Sequence, residues 1–253
     1  TGGLEYRWGD GDMMVRTVEM IANREGFGDI IAEGSARMSE RFGPETEAFK
    51  VTVKDQEFPM HEPRLKYALG VGYAVAPVGA DHMMNIHDTM YVNEGRSIER
   101  VNSALEKKIG PVSATSLGED KMQIFYYEVN FRHFMDCAQM CHFYPYDYQQ
   151  LADVLSGVTG IEYSIRDIMD VGVRAQTLSR LFNLREGFTA DDDKIPARVM
   201  KAFSKGPIAG NEITEDAFSW AKRRYYEMMN WDPETGVPSE ACLDELGLKG
   251  LLA

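Results

Sequence analysis

The sequence predicts an all-α protein, and three observations support that fold class. Apolar residues recur at helical spacing in several segments, as Met14, Val18 and Ile21 do near the start of the chain. Aspartate and glycine residues that favour helix ends stand beside these segments. No alternation of apolar and polar residues continues far enough to predict a buried β-sheet. Helices are therefore expected along the whole chain.

The beginning of the chain predicts two consecutive helices. The first has Asp10 or Asp12 as its N-cap and Gly26 as its stop, because a short carboxylate side chain can accept the free N–H groups of a first helical turn. The second spans residues 30–42 and is terminated by the Gly–Pro pair at residues 43–44. Both helices would belong to one unit.

A change of pattern near residue 55 predicts a domain boundary. Residues 51–54 alternate like a brief strand, and the two prolines within residues 58–64 exclude a continuous helix. We therefore expect a first domain at residues 1–55 and a second at residues 56–253.

The second domain is predicted to be built from helices of different lengths. Small residues within 69–76 would allow close packing, and residues 88–118 are polar enough to predict a surface excursion. The remaining helices are expected at residues 121–135, 147–156, 164–186, 196–204 and 216–229, with a short one in the tail at 232–252. The aromatic helix at 121–135 should be buried on most sides.

Composition narrows the classes of function. The chain has 253 residues and a net charge of −13, which argues against nucleic acid as a partner because phosphate binding needs a basic surface. No apolar run approaches the roughly 18 residues of a membrane span. A signal peptide and an initiator methionine are both missing from the start of the sequence, so we expect a cytoplasmic protein whose sequence begins either inside a longer chain or after processing.

The three cysteines of the chain form the first candidate site, for a metal or an iron–sulfur cluster. Their odd number argues against a disulfide framework. Cys137 and Cys141 lie four residues apart and would share one face of a helix, where thiolates could bind a soft metal or an iron–sulfur cluster. A [4Fe–4S] cluster needs four ligands, and Cys242 lies in a tail that looks surface-exposed, so a self-contained cluster is not expected. The alternative is one or two buried structural cysteines.

Asp81 and His82 offer the second candidate site. Histidine is suited to proton transfer near neutral pH, and the pair follows a run of small residues. The alternative is a helix N-cap aspartate beside a histidine with a structural role. The other histidines give weaker signals, in probable loops or at polar edges of a buried helix: His61, His87, His133 and His142.

Several short motifs, taken in order, resemble the aldehyde:ferredoxin oxidoreductase family. The segment DCAQMC at 136–141 is similar to the family motif D-x-x-G-x-C. The other similar segments are YRWGD at 6–10, REGFGD at 24–29, AEG at 32–34, GVGYA at 70–74, GADH at 79–82, RLFNLREG at 180–187, YY at 225–226 and WDP at 231–233. Together they cover nearly the whole chain.

This resemblance implies a fold, a reaction and a set of site residues. Such enzymes hold tungsten, rarely molybdenum, between two pterins beside one [4Fe–4S] cluster, and they oxidise aldehydes to carboxylic acids with ferredoxin as electron acceptor. By position, Cys141 matches a cluster ligand and Asp136 a pterin-binding carboxylate. Met140 matches a residue whose backbone contacts pterin, and His82 matches a histidine beside the metal that assists proton transfer.

The resemblance also implies partners for the protein, and two residues differ from the family pattern. Expected partners are the protein's own N-terminal domains, ferredoxin, a small aldehyde and, as an open alternative, a second copy of the chain. Gln139 replaces the motif glycine, and Met84 stands where relatives carry lysine. Because the other three cluster cysteines and the second pterin motif lie upstream in the family, the isolated chain is expected to be inactive and free of cofactors.

Two other functions stay open at this point. One is the tungsten subunit of an ATP-independent benzoyl-CoA reductase, which would use the same scaffold to reduce an aromatic ring. The other is a helical module that has kept the fold and lost the cofactors.

Overall fold

Helices form nearly all the regular structure of the chain in a computed structural model that describes residues 3–250. The α-helices are α1 (Gly11–Ala22), α2 (Phe27–Ile31), α3 (Gly34–Phe42), α4 (Tyr67–Val75), α5 (Arg96–Ser103), α6 (Glu119–Cys137), α7 (Tyr148–Thr159), α8 (Ile165–Arg185), α9 (Ala197–Met200), α10 (Glu215–Met228) and α11 (Glu240–Glu245). Two 3₁₀ helices occupy Pro44–Phe49 and Asp88–Tyr91. The predicted all-α class is confirmed.

The first two predicted helices are three in the structure. Helix α1 begins as expected, with the Asp10 carboxylate accepting from Met13 N–H at 2.9 Å. It ends at the Asn23 cap, and Gly26 instead precedes α2, so the predicted stop is wrong. The predicted helix at 30–42 is also wrong, because Gly34 has φ +83° and interrupts it before α3.

A two-residue turn closes the one sheet of the described residues. Strands β1 (Thr52–Val53) and β2 (Gln56–Glu57) pair antiparallel. The turn residues Lys54 and Asp55 have φ of 47° and 62°, which is the left-handed pair that a type I′ hairpin requires. The predicted strand at 51–54 is therefore half of a hairpin whose second strand the alternation did not reveal.

Helix α6 forms the centre of the molecule. It packs along α8 and contacts α4, α5 and α10. Most of its side chains are buried, including charged Lys121 and Glu128, which confirms the prediction of a helix enclosed on most sides. Arg100 of α5 pairs with Glu128, at 2.6 Å between Nη2 and Oε2. Among the described helices, none is long and apolar enough to cross a membrane.

The expectation of a polar surface excursion at residues 88–118 is wrong. Asp88 and Tyr91 are fully buried, and α5 directs Ile98 and Val101 into the core. The polar residues of this segment are spaced between core positions, so average composition hid the apolar face of a short helix.

A buried carboxylate joins the hairpin to three helical segments. Asp193 is fully buried and accepts from Lys54 Nζ at 2.6 Å and from Arg180 Nη1 of α8 at 2.8 Å. The Tyr226 hydroxyl of α10 also donates to it, and Lys54 donates in addition to the Ala74 carbonyl near the end of α4. Two buried cations therefore depend on one carboxylate.

We expect Asp193→Asn to lower the free energy of unfolding by about 3–5 kcal/mol, because it leaves Lys54 and Arg180 buried without a counter-charge. Urea unfolding would measure the loss. Asp191→Asn is the matched control, since Asp191 is exposed two residues away. Equal stability of the two variants would contradict the role of the buried network.

Candidate functional site

The start of α4 is held by a carboxylate from another segment. Asp88 accepts from the N–H groups of Ala68 at 3.2 Å and Leu69 at 3.0 Å, in the first turn of α4. Its Oδ1 also accepts from Lys121 Nζ of α6 at 2.7 Å. Because Asp88 directly follows His87, this contact fixes His87 beside the α4 N-cap residue, Lys66.

The segment between α4 and Asp88, residues 77–87, is called here the His82 loop. Asn85 lies against Gly72 of α4 so closely that a Cβ at position 72 would stand 1.9 Å from Asn85 Oδ1. Asn85 Nδ2 donates to the carbonyls of Leu69 at 3.3 Å and Asp81 at 3.2 Å. The absence of a side chain at Gly72 thus allows the loop to pack on the helix.

His82 stands in a turn of this loop, and the alternative of a helix N-cap at Asp81 is wrong. Asp81 Oδ1 accepts from Met83 N–H at 2.7 Å, but no helix follows. The His82 ring is half-buried and forms no hydrogen bond with residues 3–250. Its centroid lies 4.7 Å from that of His61 and 6.1 Å from that of His87.

These three histidines form the imidazole cluster: His61, His82 and His87. Lys66 Nζ lies 3.2 Å from His61 Nδ1 and 3.1 Å from His87 Nδ1. Burial, with the nearby charges of Lys66 and Arg132, lowers the pKa of His87 to about 4. Burial and Lys66 also lower the pKa of His61. Sequence reasoning missed this cluster because its members come from separate turns.

The second motif lies where α6 ends. Gln139 has φ +55°, Gln139 N–H donates to Asp136 O at 3.0 Å, and Met140 N–H donates to Met135 O at 2.8 Å. These bonds make a Schellman cap with Gln139 in the left-handed position, which glycine occupies at least cost. The left-handed conformation explains why the family motif has glycine at this position. Gln139 adopts the same conformation and keeps the same turn.

The structure corrects both readings of the cysteines. Helix α6 ends at Cys137, so Cys141 lies beyond the cap turn and the two do not share a helix face. Both are exposed, which contradicts the alternative of buried structural cysteines. Cys242 is the buried one, and its Sγ lies 3.5 Å from the Met229 carbonyl oxygen, so the surface expectation for it is wrong.

His142 joins the two motifs. Its Nε2 lies 2.7 Å from Asp136 Oδ1, and its Nδ1 lies 3.0 Å from the carbonyl oxygen of Met83 in the His82 loop. Arg132 Nη1 donates to the same carbonyl at 3.2 Å. The ring of His142 therefore bridges the end of α6 and the His82 loop. The description of His142 as a mere polar edge of a helix is therefore wrong.

The predicted site residues are thus held on two connected backbone segments. His82 lies on the loop, and Asp136 lies in the last turn of α6 with its side chain 46% exposed. Met140 is half-buried and Cys141 is exposed. Arg132 Nε and His133 Nε2 are buried without a partner in the described chain. Within residues 3–250, no three His, Cys, Asp or Glu side chains are arranged to hold a metal by themselves.

Comparison with known proteins identifies close sequence relatives. Residues 1–248 match the family described as aldehyde ferredoxin oxidoreductase, domains 2 and 3. The tungsten-containing aldehyde ferredoxin oxidoreductase of Pyrococcus furiosus is 30% identical over 251 residues, which are 96% of this chain and 38% of that protein. That of Thermococcus kodakarensis is 28% identical over 255 residues, which are 98% and 38%. The chain therefore spans well under half the length of these relatives.

One solved structure shares the fold. It is the active-site complex BamBC of benzoyl coenzyme A reductase in complex with 1,5-dienoyl-CoA, with a TM-score of 0.69 and 19% identity. The similarity covers 99% of this chain and 40% of that one. At this identity the likeness concerns the fold alone.

We expect Gln139→Gly to raise the free energy of unfolding by about 0.5–1 kcal/mol. Glycine relieves the cost of the left-handed conformation, and its greater freedom in the unfolded chain offsets part of the gain. Urea unfolding measures the change. Gln139→Ala is the control, because it removes the side chain and keeps the backbone cost; stabilisation by alanine but not by glycine would contradict the assignment.

We expect acid to destabilise the fold through His87. Its pKa falls from an ordinary 6.5 to about 4 on folding, so between these values the unfolded chain binds more protons. The free energy of unfolding should therefore decrease as the pH falls from about 6.5 to about 4. His87→Gln, which keeps an acceptor for Lys66, should reduce this slope in urea titrations. Identical slopes for variant and wild type would refute the expectation.

Proposed function

The chain belongs to the aldehyde ferredoxin oxidoreductase family, and from that premise we propose that it forms the helical part of a tungstopterin enzyme. The whole enzyme would oxidise aldehydes to carboxylic acids and pass the electrons to ferredoxin. The observation that carries this proposal is the His142 contact between Asp136 and the Met83 carbonyl. It joins the two segments that the family resemblance assigns to pterin, cluster and proton transfer.

The free groups of Asp136 and Met140 suit a pterin. Asp136 Oδ1 is taken by His142, whereas Oδ2 accepts no hydrogen bond from residues 3–250 and can receive a pterin N–H group. The Met140 N–H group is already bound to Met135 O, so its carbonyl oxygen is the part of that backbone left to meet a ligand. Gln139 preserves the turn that presents both residues.

Cys141 is suited to binding an iron–sulfur cluster, and His82 is suited to proton transfer. The exposed Cys141 thiol can supply one thiolate ligand to a [4Fe–4S] cluster. When bound, tungsten and the cluster would supply the two-electron oxidation and the path to ferredoxin. Conversion of an aldehyde and water to a carboxylic acid releases two protons with two electrons. His82, whose ring nitrogens have no partner in the described chain, can take up one of these protons.

Other parts of the parent protein would complete the site. The curated relatives are more than twice as long as the matched region, and the resemblance implies three further cluster cysteines outside this chain. Met14, Val15 and Val18 form an exposed apolar strip on α1 beside the fully exposed Trp8. We assign this strip to contact with the parent's other domains. The proposed division near residue 55 falls in the β1–β2 turn.

The shared fold favours a second candidate, the tungsten subunit of a benzoyl-CoA reductase. The solved complex that resembles this chain carries 1,5-dienoyl-CoA, and it supports a reaction on an aromatic thioester only by analogy of scaffold. Anaerobic assays of the parent with an aldehyde and with benzoyl-CoA separate the two reactions. A helical module without cofactors would be active in neither assay.

We expect the anaerobically purified parent to contain about four iron atoms per chain in its cluster, together with one tungsten. Cys141→Ser should reduce the iron content because it removes a cluster ligand. Cys137→Ser is the matched control, since that thiol is also exposed and lies four residues away. Elemental analysis by mass spectrometry measures both metals.

The iron and tungsten contents of the wild type and the two cysteine variants distinguish a metal-binding enzyme from a module without cofactors. Loss of iron in Cys141→Ser alone supports the proposed ligand, whereas equal iron in all three proteins would overturn it. Absence of both metals from the wild-type parent would favour the cofactor-free module.

A further inference from the structure

Residues 194–211 are basic, although the chain as a whole is acidic. They include four cations and no acidic residue, whereas the chain has a net charge of −13. All four side chains are exposed, and none forms an ion pair within the described part of the chain: Lys194, Arg198, Lys201 and Lys205. Their charges are therefore available to attract an acidic partner.

Contacts with two other segments fix the backbone that carries these cations. Arg198 Nη1 donates to the Phe49 carbonyl oxygen at 3.2 Å, and Arg64 Nη1 donates to the Lys201 carbonyl oxygen at 3.1 Å. The Arg64 guanidinium also lies 3.5 Å from the centre of the Phe203 ring. The cations thus belong to a defined surface, which we call the basic face: residues 194–205 with Phe49 and Met60.

Acidic groups beside the basic face do not cancel its charge. Three acids line the cleft that Lys194, Arg198 and Lys201 share. Of these, Glu47 pairs with Lys50, at 2.9 Å between Oε1 and Nζ. Asp55 and Asp192 remain, and the four unpaired cations of the basic face outnumber them.

Exposed apolar side chains lie among the cations. Phe49 and Met60 are largely exposed, and Phe203 is exposed under the Arg64 guanidinium. Met60 lines a second cleft together with Arg198. Aromatic, methionine and arginine side chains are enriched at protein–protein interfaces, and a small anion would leave these apolar groups uncovered. This composition favours a protein as the occupant.

We propose that the basic face docks an acidic electron-acceptor protein, a ferredoxin of negative net charge. The face adjoins the candidate site, because the 58–64 segment that carries Met60 and Arg64 also carries His61, whose ring centroid lies 4.7 Å from that of His82. The inference rests on the proposed aldehyde oxidation for the need of an electron acceptor. The charges of the face do not depend on that reaction.

The chemistry of the reaction favours a docking surface held mainly by charge. Oxidation of one aldehyde releases two electrons, and a ferredoxin with a single cluster accepts one. Two ferredoxins must therefore dock and leave in each turnover. Opposite charges accelerate association, and a small apolar contact permits rapid release.

The direct test is the affinity of oxidised ferredoxin for the complete parent protein, measured by calorimetry at about 20 mM ionic strength, where charge screening is weak. We expect saturable binding to the wild type. The dissociation constant should rise at least about tenfold when three cations of the face are reversed together, in Lys194→Glu, Lys201→Glu and Lys205→Glu.

The matched control reverses three exposed lysines outside the basic face, Lys107→Glu, Lys108→Glu and Lys249→Glu, and changes the net charge by the same amount. It should bind more tightly than the first triple variant. Equal affinities of the wild type and the first variant would overturn the proposal, as would absence of saturable binding to the wild type. Circular dichroism first establishes that both variants are folded. If the first is not, glutamine replaces glutamate at the same three positions, and the same comparison decides.

Lysine acetylation read by mass spectrometry tests whether the face is open in the parent. Lys194, Lys201 and Lys205 should react in the free parent and be protected by ferredoxin. Protection in the absence of ferredoxin would show that another part of the parent covers the face, and it would refute the proposal. Tighter binding of a single-stranded oligonucleotide than of ferredoxin at these lysines would refute it as well.

Electron transfer separates this proposal from the proposed reaction. Aldehyde oxidation by the parent is assayed with benzyl viologen, a small acceptor, and with ferredoxin. No oxidation with viologen would refute the proposed reaction, while ferredoxin binding can still be measured. Oxidation with viologen, together with equal KM values for ferredoxin in the wild type and the first triple variant, would refute the docking face alone.

Discussion

The arrangement of the candidate site depends on the buried carboxylate of Asp88. It caps the first turn of α4, pairs with Lys121 of α6 and holds the residue that follows His87. Through these contacts one side chain sets the α4 N-cap, the end of the His82 loop and the position of α6. A carboxylate with this many buried donors cannot be replaced by a neutral group without leaving Lys121 unpaired.

Helix α4 is secured at its other end by a second buried charge. Lys54 reaches the Ala74 carbonyl and is itself neutralised by Asp193. The loop that carries His82 therefore leaves a helix fixed at both ends, and Asn85 packs it against Gly72. His142 connects that loop to the end of α6. The candidate site is thus built on rigid elements, which is the arrangement that precise positioning of reacting groups requires.

Sequence patterns predicted those parts of the fold that depend on local chemistry. Helix starts with a capping carboxylate, such as Asp10, and the aromatic stripe of α6 were readable because cap and periodicity lie within a few residues. The break at Gly34 was missed because a single glycine inside a helical pattern is ambiguous. His142 and the imidazole cluster were missed for a different reason. His142 contacts Met83, which lies 59 residues away in sequence, and His87 contacts Lys66, which lies 21 residues away. Such contacts arise only from tertiary packing.

We propose that the face carrying His82, Asp136 and Cys141 adjoins the metal centre of the parent protein. Anomalous diffraction from crystals of the anaerobically purified parent, recorded at the iron and tungsten absorption edges, would locate both metals relative to this face. We expect an iron cluster against the Cys141 thiolate and tungsten on the side of His82 and Asp136. Iron and tungsten located away from these residues, in an otherwise ordered structure, would contradict it.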